Sequence, residues 1–74
     1  RPLLKEKQSL EKKLEALNSR RKEIEEVILN ESMLKRVDGK QMEKDLIKLS
    51  SVRAQIDQVE ERWFLIANIL EKSD

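Results

Sequence analysis

Residues 42–70, MEKDLIKLSSVRAQIDQVEERWFLIANIL, set Met42, Leu49, Ile56, Trp63 and Leu70 seven apart. Val52, Val59 and Ile66 follow Leu49, Ile56 and Trp63 by three residues. Apolar side chains recurring at alternating steps of three and four form one stripe on an α-helix, and a run this long does not fit a strand. The first half of the chain repeats the pattern. Leu3, Leu10, Leu17 and Ile24 are seven apart, Leu14 and Ile28 fall four residues after Leu10 and Ile24, and Lys7 and Arg21 take two of the seam positions. The spacing predicts two long helices.

Between the runs lies Asn30-Glu31-Ser32-Met33-Leu34-Lys35-Arg36-Val37-Asp38-Gly39. Asp38 with Gln41 three residues on is a capping-box pattern that starts the second helix at Gly39. Asn30, tolerant of the left-handed conformation, is the expected stop of the first. Helices over about 3–29 and 40–72 with a tip over 30–39 follow, and the apolar Met33, Leu34 and Val37 are expected to fold back over the hairpin end. An antiparallel pairing of residues whose numbers sum to about 70 sets Ile28 against Met42, Ile24 against Leu46, Leu14 against Ile56 and Arg21 against Leu49. Lys7 then falls opposite Trp63, its stem along the indole and its ammonium toward water. Both periodicities close under one offset, which argues for a monomeric all-α two-helix antiparallel coiled-coil hairpin. Its length should be roughly 40–50 Å at 1.5 Å per residue.

Composition narrows the function classes. With 42% charged residues and 3% aromatic, the 74-residue chain resembles long-helix proteins and buries one seam rather than a large core. It is read as a single domain, 1–74, cut from a longer protein, because it starts at Arg1 without an initiator methionine. No apolar run reaches the roughly 18 residues of a membrane span. The absence of cysteine excludes disulfides and thiolate metal sites, and the cytoplasm is the default compartment. The net charge of +1 is distributed in blocks: residues 1–22 carry eight basic and three acidic groups, 23–32 four acids and no base, 33–53 six bases and three acids, and 54–74 two bases and five acids. Such blocks pair within a fold or present a local field to a partner.

Catalytic chemistry has little to draw on. Histidine, cysteine and tyrosine are absent, no serine has a base beside it, and one glycine makes no phosphate loop. Glu23, Glu25 and Glu26 read as a solvated helix face rather than a metal site. The chain is therefore expected to be non-catalytic, with no cofactor of its own. The basic residues are the stronger lead. Lys40, Lys44 and Lys48 recur every four residues, Arg20, Arg21 and Lys22 approach the same level of the rod, and Lys35 and Arg36 sit at its tip. Together they form a stripe for phosphates, with counterion release as the driving term. The competing reading pairs Lys44 and Lys48 with Glu23, Glu26, Glu43 or Asp45 as exposed ion pairs. Trp63, at a seam position, reads as a packing anchor, and Phe64 as an exposed neighbour. The cluster Phe64, Leu65, Ile66, Ile69 and Leu70 is wider than one seam requires and points to a second contact.

Lys5-Glu6-Lys7-Gln8-Ser9-Leu10-Glu11 at the start and Glu61-Arg62-Trp63 near the end carry a family resemblance. The chain resembles the C-terminal coiled-coil domain of Uup-like ATP-binding cassette family F (ABC-F) proteins over nearly its whole length. It departs from that pattern in the Arg1-Pro2-Leu3-Leu4 lead and in the tip Lys35-Arg36-Val37-Asp38-Gly39. The resemblance implies an accessory arm behind two ATPase cassettes, which would bind ATP and magnesium, with DNA or ribosomal RNA as the arm's partner. Two rival readings are the tRNA-binding C-terminal arm of valyl-tRNA synthetase, and a hairpin that binds another protein through Trp63, Phe64 and Ile66.

Overall fold

The computed structural model describes residues 1–34 and 38–72. Two helices, α1 (Pro2–Met33) and α2 (Gly39–Lys72), pack antiparallel as a rod with extents of 54 × 15 × 14 Å. The length follows from the helices: 34 residues at 1.5 Å each give about 51 Å. The expected all-α hairpin is the observed architecture.

The helix ends show where local chemistry was read well and where it was not. Asp38 caps α2, its Oδ1 accepting the Lys40 backbone N–H at 3.1 Å and its carbonyl accepting that of Met42 at 2.9 Å. Gln41 does not complete the capping box. Its amide Nε2 donates forward to Asp45 Oδ1 at 3.1 Å. Helix α1 runs past Asn30, correcting the expected stop, because no left-handed residue ends it. Leu34 caps α1 in the right-handed region (φ −84°, ψ −1°), and its N–H donates to the Asn30 carbonyl at 3.0 Å. The connection is accordingly shorter than 30–39. Met33 and Leu34 are 73% and 65% exposed, so they do not fold back over the end. Val37 lies outside the described residues.

The seam follows the predicted offset. Lys7 Nζ lies 5.4 Å from the Trp63 ring centroid, and Arg62 reaches across to Glu6 at 3.1 Å. Leu49, Val52, Ile56 and Ile66 are buried, while the α1 seam residues Leu10, Leu14, Leu17, Ile24 and Ile28 are half-buried. Each buried aliphatic side chain is worth about 1.5–3 kcal/mol, so these four residues dominate the stability of the rod. One seam position breaks the apolar rule. Asp45, three residues after Met42, is 6% exposed, and Leu46, expected opposite Ile24, is 50% exposed. Helical phase decides this: a step of three from Met42 returns to the stripe established by Leu49 and Val52, whereas a step of four leaves it.

Reversing one helix in an antiparallel pair apposes like flanks. One flank carries Glu6, Lys13 and Arg20 on α1 and Lys48, Gln55 and Arg62 on α2. The other carries Leu4, Glu11, Asn18 and Glu25 on α1 and Leu46, Arg53, Glu60 and Ala67 on α2. The candidate site occupies the first flank.

Candidate nucleic-acid interface

Charge matching across the two flanks is uneven. Glu6 and Arg62 are complementary and form a two-pronged pair, with Nε donating to Oε1 at 3.2 Å and the second guanidinium nitrogen to Oε2 at 3.1 Å. The carboxylate raises the Arg62 pKa above its ordinary value, chiefly through this hydrogen bond. Farther along the same flank the complementarity is lost. Arg20 and Lys48 line one groove of about 380 Å³ with Leu17, Ile47, Ser51, Val52 and Gln55, and among the described residues no carboxylate lines it. Gln55 Nε2 donates to Ser51 Oγ at 3.3 Å, which leaves the Ser51 hydroxyl hydrogen free to point elsewhere.

The remaining stripe residues divide by position. Lys40 and Lys44 precede Lys48 by two turns and one turn and are exposed. At 100° per residue the row drifts by about 80° over those two turns, from the outer face of α2 to the groove. Arg21 takes a different direction. It is half-buried at a seam position, its Nε donates to Asn18 Oδ1 at 3.4 Å, and it pairs with Glu25 at 2.9 Å. Arg53 reaches the same Glu25 oxygen at 3.4 Å. The Arg21 hydrogen bond is the largest of the effects that lower the Glu25 pKa, with Arg53 adding to it. Arg21 thus belongs to the opposite flank. Lys22 is exposed, but two residues past Arg20 it lies about 200° around the helix, away from the groove. Lys35 and Arg36 lie outside the described residues.

Lys40, Lys44 and Lys48 form no ion pair among the described residues. Among the described residues the ion pairs are Arg21–Glu25, Arg53–Glu25 and Arg62–Glu6. Lys40, Lys44, Lys48 and Arg20 have no carboxylate partner there. Asp45, offered by sequence as a partner for Lys44 or Lys48, is turned into the seam toward Gln41. Among the described residues no three acidic groups converge on a metal position, and no helix is long and apolar enough to cross a membrane.

Trp63 lies at a seam position, half-buried beneath the Lys7 ammonium. Phe64 meets it edge-on, with centroids 5.1 Å apart and planes at 82°, and remains 57% exposed. The indole N–H is buried without an acceptor. Sequence reasoning did not identify the groove walls Ile47, Ser51 and Gln55 or the Glu6–Arg62 and Glu25–Arg53 pairs. Opposite charges at positions 6 and 62, whose numbers sum to 68, were the available signal for the first pair. Comparison with protein families, with characterised proteins and with solved structures finds no match for this chain.

Proposed function

We propose that this hairpin is a nucleic-acid-binding arm, non-catalytic in itself, that contacts phosphates at the Arg20–Lys48 groove and along the row of Lys44 and Lys40 leading from it onto the outer face of α2. The observation that supports it best is the Arg20–Lys48 groove. Two cations face one space across the seam, no acid among the described residues pairs with them, and Ser51 adds a hydroxyl donor beside them. Like charges brought together in a fold repel unless an external anion lies between them, and a phosphodiester supplies that anion. Neither an aromatic platform nor a base-reading side chain is interleaved with the stripe. Binding is therefore backbone-directed, nearly independent of sequence, and in the range of about 10⁻⁴–10⁻⁶ M at physiological salt. Within the ABC-F resemblance, this is the DNA- or ribosomal-RNA-binding arm of a cytoplasmic ATPase whose cassettes hold the ATP and magnesium. The same chemistry serves the synthetase-arm alternative, with tRNA as the ligand.

Titration of duplex DNA and of a structured RNA at two salt concentrations tests the proposal. Wild-type protein should bind more weakly at the higher salt, and Lys40→Glu/Lys44→Glu/Lys48→Glu should abolish binding with helicity unchanged. Equal affinity of mutant and wild type, or wild-type binding insensitive to salt, would overturn it.

A further inference from the structure

The second flank poses the opposite electrostatic problem. Glu11 of α1 and Glu60 of α2 line one shallow concavity of about 310 Å³ with Leu14, Trp63 and Phe64. Neither carboxylate has an ion pair or hydrogen bond among the described residues, whereas Glu6 and Glu25 are both engaged by arginines. Among the described residues the lining itself holds no basic side chain, and the Lys7 ammonium lies over the Trp63 ring, 5.4 Å from its centroid. Two like charges have been brought to one aromatic-walled hollow, and among the described residues neither is paired with a base.

We infer that this concavity receives an arginine side chain from a segment of a partner protein. Charge complementarity selects a cation and excludes phosphate, so this surface is distinct from the basic groove. The aromatic wall favours arginine over lysine, because a planar guanidinium stacks on ring faces and its fork of N–H donors can serve two carboxylates at once. Lys7 shows that the Trp63 ring accepts a cation in this fold, with its ammonium 5.4 Å from the centroid. The 57% exposure of Phe64 leaves one wall open to an incoming chain. A volume near 300 Å³ is at the small end of binding pockets and suits one side chain rather than a folded ligand.

The probe is a blocked Gly-Arg-Gly peptide, compared with its lysine and citrulline counterparts, added to the ¹⁵N-labelled protein. Trp63 is the sole tryptophan, so its indole N–H gives one assigned signal. The arginine peptide should move that signal saturably, and uncharged citrulline, which keeps the shape, should bind about tenfold more weakly. Glu11→Gln/Glu60→Gln should lose the response while remaining as stable as wild type or more so, since the substitution removes a repulsion. Any of three results would overturn the inference: equal response to citrulline, an undiminished response in the double mutant, or no movement at millimolar peptide. A shift that instead grows with protein concentration alone would place a second copy, by its own basic groove, in the hollow and would likewise refute a separate partner.

Discussion

Replacing Asp45 by leucine should stabilise the hairpin, although it removes a hydrogen-bonded side chain. Asp45 occupies a seam position at 6% exposure, with Oδ1 bonded to Gln41 and Oδ2 buried without a partner. An unsatisfied buried polar atom costs about 1–3 kcal/mol. A leucine filling the same position would gain about 1.5–3 kcal/mol of apolar burial. The two gains overlap, and fitting a bulkier side chain into the seam offsets part of them. A net gain of about 2 kcal/mol remains, within the range of about 1–4 kcal/mol seen when buried ionic groups give way to apolar ones. For a domain of this size that corresponds to a rise in melting temperature of roughly 8–16 °C. Thermal and urea unfolding followed by circular dichroism measure it, with an unchanged urea slope showing that the folded state is the same. Leu46→Ser is the matched control, because Leu46 is half-exposed beside the seam and its loss should stay within about 0.5–1 kcal/mol. A lower melting temperature for Asp45→Leu, or a larger effect at Leu46, would show that Leu46 and not Asp45 faces α1.

Two further outcomes follow from the packing and the ion pairs. Trp63→Ala should destabilise by about 2–3 kcal/mol, below the range of about 3–5 for a fully enclosed tryptophan because this one is half-buried, and denaturant unfolding checks it. Stability should also fall in acid. The Glu25 pKa lies below its ordinary value of 4.5 in the folded state, so its contribution is present above that value and is lost as pH drops through the folded pKa. Glu25→Gln should flatten that part of a melting-temperature-against-pH curve, and an unchanged curve would show that the Arg21 and Arg53 contacts contribute nothing measurable.

The architecture was legible because both helices write their buried face into the sequence at a period that only a helix reads as one stripe. The offset was legible because the chain must turn between the two runs, which left little freedom in pairing Lys7 with Trp63. Asp45 was not legible from composition. Leu46 is the apolar residue nearest the position opposite Ile24, although the three-residue step from Met42 leads to Asp45. The end of α1 was missed for a similar reason: Asn30 has the chemistry of a stop, but Glu31, Ser32 and Met33 continue the helix, and a right-handed cap at Leu34 suffices.

The candidate site was legible in part. Spacing alone aligned Lys40, Lys44 and Lys48, but only the cross-seam geometry brings Arg20 to Lys48. Arg21 and Arg20 are neighbours in sequence and look equivalent there. Their difference arises from the 100° between them, which delivers Arg21 to Asn18 and Glu25 and leaves Arg20 facing the groove. The unpaired carboxylates Glu11 and Glu60 were equally invisible until the seam brought them together.

The salt dependence of duplex DNA binding, measured for wild type and for Arg20→Gln/Lys48→Gln, tests the functional reading most directly. If the two cations share the groove with phosphates, each lost contact should lower the steepness of log K against log salt by about 0.9, so the double mutant should be shallower by about 1.8. A slope identical to that of wild type would mean that no phosphate enters the Arg20–Lys48 groove and would contradict the assignment.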